Sequence, residues 1–335
     1  MMPLWGRVEE SLNRLLLVVF CSFCWASAFA SAPDSAAKPT PSPTVTGSVP
    51  AKGEATVTPY GHWTTQFAAR INPVGLRLSN LGGWRIPLSA SDHILLKGTY
   101  LEFGGGMPIT PVSLFPTAYI EVVPLAPIVL RAQVKQMTFL GALGNVAAFT
   151  QGEVDSAQGG EGYWSPAVIE ARRDEGEGIF ATGWDHMLSG TLQLKFGRFV
   201  AKGTFEYHWV NLNLPGEKIR WYDSTDDLIF EPRDSKILGK GLLAYLAQGE
   251  LSGDRFLLLG TTFDYQKAIA LGMSRQAAGV LVVWRPGLWA RRKLTFGTLI
   301  QHYVQDAGDH RTGQFTVAAF TQVSFGGPPR KKGAQ

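Results

Sequence analysis

Charged side chains in this sequence recur at every second position, with apolar ones between them. Arg131, Gln133 and Lys135 alternate with Leu130, Ala132 and Val134, and Lys202, Thr204, Glu206 and His208 alternate with Ala201, Phe205, Tyr207 and Trp209. Thr262 and Asp264 alternate with Thr261, Phe263 and Tyr265. A two-residue spacing places each set on one face of a strand. The same reading turns Arg70, Arg77, Lys97, Glu121 and Lys195 toward that polar face. Bases outnumber acids there, chiefly in the first seven strands. A narrow cationic passage of low dielectric favours anions and raises their local concentration. The chemistry these residues suggest is the passage of small anionic solutes. Their competing use is structural: Lys202 and Glu206 share a strand and a face, and Asp264 can meet a base on another strand.

Two other chemistries have candidate residues. A lipid hydrolase needs a nucleophilic Ser, a His to take its proton and an orienting group. His302 sits at the height such a site requires, on the apolar face, and His186 and Ser189 lie three residues apart. No serine on the apolar face of a neighbouring strand partners His302, so an enzyme remains a rival reading. The segment 213–240 carries Asp223, Asp226, Asp227, Glu231 and Asp234 beside Trp221, Tyr222 and Phe230. Such carboxylates can hold Ca²⁺ through oxygen ligands, but their spacing does not match a calcium-binding loop. An acidic outer loop used in adhesion is the alternative there. No cofactor motif and no metal-ligand spacing is read.

The elements that must position these residues are strands. From residue 60 onward alternation dominates, Thr, Val, Phe, Tyr and Trp are abundant, and Gly and Pro punctuate the chain every dozen or so residues. This predicts twelve strands, at 61–71, 74–82, 93–103, 117–124, 127–138, 188–197, 199–212, 241–250, 255–266, 276–285, 293–305 and 314–325, with ten or fourteen as alternatives. Most are near ten residues, the length a tilted spanning strand needs. Short connections alternate with long ones at 139–187 and 213–240, which suits short turns on one side of a membrane and long loops on the other. The first long segment has the length to fold inward as a plug. Aromatic residues gather at strand ends: Trp63, Trp84, Phe196, Phe199, Trp284, Trp289 and Phe325 at one, and Trp209, Tyr265, Tyr303 and Phe315 at the other. If the polar face lines a wet lumen, Thr262 and Gln193 should accept an arginine and Phe263 and Leu194 should not.

Composition agrees. Charged residues are 17 % of the chain, below the roughly 25 % of soluble domains. A net charge of +4 is too mild to indicate nucleic acid. Arg7 and Arg14 precede an apolar run from Leu15 to Ala30 that ends in the small residues Ala28-Phe29-Ala30, the pattern of a cleaved secretory signal peptide over 1–30. The only cysteines, Cys21 and Cys24, fall within it, so no disulfide is expected afterwards. Residues 31–59 read as a Pro/Ser/Thr-rich linker, 60–325 as the barrel and 326–335 as a basic periplasmic tail.

The last strand resembles the terminal assembly signal of bacterial outer-membrane barrels. Phe315, Val317, Ala319, Thr321, Val323 and Phe325 form its apolar face, and the aromatic Phe325 closes it. Ten residues beyond Phe325 depart from the usual ending. The resemblance implies an all-β, antiparallel up-and-down transmembrane barrel of a Gram-negative outer membrane, porin-like in architecture. It further implies outer-membrane lipid and lipopolysaccharide as surroundings, and the barrel assembly machinery as a partner that engages the strand ending at Phe325. At the level of architecture the chain also resembles the small monomeric porins that pass acidic sugars.

Overall fold

The computed structural model describes residues 58–72, 74–91, 93–141, 146–156, 178–223, 226–251, 253–287, 293–306 and 311–326. The expected signal peptide, most of the linker, the basic tail beyond Gly326, and Trp289 lie outside these residues.

The strands are β1 (Tyr60–Ile71), β2 (Gly75–Pro87), β3 (Tyr100–Gly106), β4 (Ile109–Thr110), β5 (Ser113–Leu114), β6 (Thr117–Leu125), β7 (Ile128–Leu140), β8 (Val146–Thr150), β9 (Phe180–Phe196), β10 (Phe199–Asn213), β11 (Lys218–Asp223), β12 (Leu228–Phe230), β13 (Arg233–Gly249), β14 (Arg255–Ala268), β15 (Ser274–Pro286), β16 (Lys293–Asp306) and β17 (Phe315–Gly326). One short helix, α1 (Gln151–Ser156), follows β8. Its start is a capping box: Thr150 Oγ1 accepts from the Glu153 amide, and the Glu153 carboxylate accepts from Thr150 N–H.

Twelve of these strands form a closed wall. Each pairs antiparallel with its neighbour in the sequence of wall strands, β1-β2-β3-β6-β7-β9-β10-β13-β14-β15-β16-β17. The seam between β17 and β1 closes with Trp63 opposite Phe325 and Ile71 opposite Val317. No edge is left unpaired, which removes the exposed amides and carbonyls that an open sheet would carry. The chain is therefore a closed antiparallel up-and-down barrel of the outer-membrane type, as the alternation predicts.

Alternation assigns the two faces. Phe67, Trp84, Phe103, Leu130, Leu188, Leu243, Val280 and Ile300 point outward and are exposed, whereas Gln66, Glu102, Asp185, Lys240 and Gln301 point inward and are buried. This is a soluble protein's arrangement turned inside out. One expected girdle residue is misplaced: Tyr303 is buried with its ring facing Arg275, because it shares inward parity with Gln301.

Four wall strands differ from expectation, the first being β2, which runs to Pro87, five residues past its predicted end. β3 begins at Tyr100 instead of residue 93, because Leu96 and Lys97 donate to the His93 carbonyl and wind that stretch into a turn. β9 and β13 each start about eight residues earlier than predicted, at Phe180 and Arg233. The two longest connections are thus 141–179 and 214–232. They share the rim away from the start of β1 and the end of β17. That rim also carries the short turns at 72–74 and 269–273, and the 88–99 connection lies at the opposite rim.

Phe320, which interrupts the polar face of β17, has a specific seat. It pairs with Gly297 on β16, and a Cβ at Gly297 would stand 2.0 Å from the Phe320 ring. The aromatic ring covers the glycine inside the barrel. Gly297→Val is expected to lower barrel stability by about 1–3 kcal/mol through overpacking. Urea unfolding in vesicles checks it, and adding Phe320→Leu should recover part of the loss.

Candidate functional site

Glu121, Lys202, Glu206 and His208 are buried in the barrel interior. On the β10–β17 side, toward the rim where β1 begins and β17 ends, the interior is apolar. Val200, Leu242, Leu246, Phe256, Leu258, Val283 and Phe320 pack together there. The β1–β7 side and the middle of the barrel are polar.

Alternation on β7, β9, β10 and β13 brings five charged or titratable groups into one chain across four strands. Lys135 Nζ lies 2.6 Å from Asp185 Oδ2, and His208 Nδ1 lies 2.8 Å from Asp185 Oδ1. His208 Nε2 is 3.2 Å from Glu206, whose two oxygens accept from Lys240 Nζ at 2.8 and 2.9 Å. Ionised carboxylates only accept, so both His208 contacts are hydrogen bonds when the ring carries both protons.

A second network lies toward the other wall. Arg85 donates two bonds to Glu102 Oε2, at 2.8 and 2.6 Å, and Tyr119 donates to Glu102 Oε1 at 2.6 Å. Arg131 donates to Glu121 at 2.8 Å and lies over the Tyr119 ring, while Tyr100 donates to the other Glu121 oxygen. Charge-assisted hydrogen bonds of this kind are stronger than neutral ones. Asp264 accepts from Gln301, which also donates to Thr262.

The other expected residues are more scattered. Lys202 is buried in the inward register of β10, and Arg70 and Arg77 occupy inward positions near the far rim. Lys195 is exposed at the opposite rim. Lys97, expected in a strand, lies in the 88–99 turn. Thr262 is buried and bonded within a packed interior, so the arginine expected to be tolerated there has no room.

The far mouth is covered by a second sheet. β11 pairs with β8 on one side and β12 on the other, although these strands come from two different connections. One face of this cap sets Trp221, Leu228 and Phe230 against wall residues Phe139, Ala181 and Leu212. The other packs Phe149, Tyr222 and Ile229 with Val154 of α1. Burying Phe149 and Phe230 stabilises by about 1.5–3 kcal/mol each. The turn between β11 and β12 then places two carboxylates among cations of the wall and of the β16–β17 connection. Asp226 binds Lys236, and Asp227 lies 2.5 Å from Arg311 and 3.4 Å from Arg275 while accepting from the Tyr222 hydroxyl. Burial alone would raise both carboxyls. Lys236 outweighs it and holds Asp226 down at about 2, and Arg275 and Arg311 hold Asp227 below its usual range. Burial and Asp227 push the Tyr222 phenol up.

The hydrolytic candidates do not assemble. Ser189 points inward and His186 outward on the same strand, and His302 rests against Phe315 on the outer surface. Among the described residues no group of three or more His, Cys, Asp or Glu is placed to hold a metal ion.

No family model matches the chain, and no curated protein does. Solved structures do. The β-domain of the Bordetella autotransporter BrkA aligns over 80 % of this chain and 98 % of its own, at 13 % identity and TM-score 0.39. An outer-membrane channel from Pseudomonas putida aligns over 83 % and 100 %, at 12 % identity and TM-score 0.37. LpxR from Salmonella typhimurium aligns over 79 % and 99 %, at 10 % identity and TM-score 0.34. Such scores bear on neither activity nor solute, and the barrel rests on its own strand pairing.

Proposed function

We propose that the chain is an outer-membrane barrel that offers small anions a narrow cationic route, held shut at its far mouth by its own cap. The apolar outer belt suits insertion in lipid. The observation that carries the reading is the placement of Asp226 and Asp227. These cap carboxylates sit on Lys236, Arg275 and Arg311, where an anionic solute entering the mouth would bind. The apolar cluster fills one side of the lumen, and the route follows the polar side past Arg131 and Lys135.

Planar-bilayer recording tests this. The wild type should be quiet at neutral pH. Asp226→Asn combined with Asp227→Asn should give discrete steps with anion preference, reduced by Arg131→Gln and Lys135→Gln. Acid should act as the variant does. Carboxyls held below the ordinary value of about 3.9 contribute stability that is complete above that value and lost as pH falls toward about 2. The cap should stay shut at pH 5 and open between about pH 4 and 2. Silence from the folded variant at both pH values would overturn the channel reading.

A further inference from the structure

The outer wall has a depression where β6, β7, β9 and β10 meet. Gly190 and Ala132 form its floor, Leu130 one bank, and Phe205, Tyr207 and Trp209 the other; its volume is about 660 Å³. That is within the range of ligand pockets, about 300–1,000 Å³. All of these residues have outward parity, so the depression is continuous with the apolar belt. Gly190 creates it: an added Cβ would meet only Leu130, at 3.8 Å. The glycine therefore leaves space that a larger side chain could fill without strain.

The polar residues above the depression include a histidine and an arginine and no acid. His186, four residues along β9 toward the far rim, is exposed and pairs with Trp209. Two residues further, Arg233 on β13 is exposed and pairs with Asn211, the partner of Trp184. At about 3.3 Å per residue, His186 lies roughly 13 Å above the floor. Outward positions of β6, β7, β9, β10 and β13 hold no carboxylate. An apolar slot topped by basic residues fits a lipid with hydrocarbon chains below and phosphate above.

We infer that this wall binds phosphorylated lipid A, with one acyl chain over Gly190 and a phosphate between His186 and Arg233. The inference rests on the membrane reading of the barrel. The experiment uses the full-length protein in detergent, with lipid A and its dephosphorylated form as probes, and native mass spectrometry as readout. Wild type should retain lipid A. Gly190→Leu should lower retention at least tenfold, while Ala319→Leu, outward on β17, should not. His186→Ala with Arg233→Ala should reduce the preference for the phosphorylated form. Equal retention by wild type and Gly190→Leu, or no preference for phosphate, would overturn the inference, as would a dimer in place of bound lipid that Gly190→Leu abolishes. Insertion of each variant into vesicles is measured in parallel. A wild type that inserts but binds no lipid A fails this site alone, and one that does not insert fails the membrane reading itself.

Discussion

Replacing Glu206 with Ala is expected to lower the unfolding free energy by about 3–5 kcal/mol, the cost of removing one member of a buried ion pair. Glu206 is buried on β10, and its two oxygens receive both bonds that Lys240 makes to it and one from His208. Its removal takes two charge-assisted bonds from a buried ammonium group and leaves Asp264, opposite it on β14, as the nearest acid. The double variant Glu206→Ala, Lys240→Met should lose much less, because both members of the pair have gone, and the pair should show a coupling of about 0.5–3 kcal/mol. Urea unfolding of protein refolded into vesicles measures both. A loss under about 1 kcal/mol for the single variant would mean that Asp264 or water takes over the charge of Lys240.

The second large effect belongs to the outer face. Phe263 points outward midway along β14, between inward Thr262 and Asp264. Phe263→Arg should cost about 2–4 kcal/mol if this height is the middle of a bilayer, and Leu257→Arg, near the rim of the same strand, about 0–1 kcal/mol. The contrast is the informative quantity. On a wall facing water both arginines would be accepted, and similar small costs at the two heights would rule out a lipid-facing wall there.

Much of the wall was legible before the structure. A period of two survives wherever one face meets an apolar surrounding and the other does not, and it is clearest in the middles of β7, β10 and β14. It was lost where inward residues are polar or small. Ala181, Gly183 and Asp185 look like loop residues, yet they occupy successive inward positions of β9. Lys236 and Lys240 on β13 were assigned to a loop for the same reason. That error concealed half of the central network, since Asp185 and Lys240 are the partners that neutralise Lys135 and Glu206. Arg85 and Glu102 were missed at the ends of β2 and β3, where a row of glycines breaks the apolar pattern. The pairing of bases with acids follows from which strands adjoin, and one strand's sequence carries no record of its neighbour's charges. Nor does alternation reveal the cap, because β8, β11 and β12 are short and buried on both faces.

The cap joins segments that the chain makes far apart. β8 leaves the wall after β7, whereas β11 and β12 leave it after β10, and an entire hairpin of β9 and β10 lies between them. Their pairing requires that hairpin to be in register already, since it sets the distance between the two departures. The loop-closure entropy for joining them is small only once the wall strands hold their ends in place. Formation of the mouth's cover is thereby a late event, after the cylinder has taken shape, and until then the growing barrel has an unobstructed interior. The order also runs backwards: the cover can detach without unpicking any wall strand, whereas no wall strand between β7 and β13 can leave without carrying the cover away.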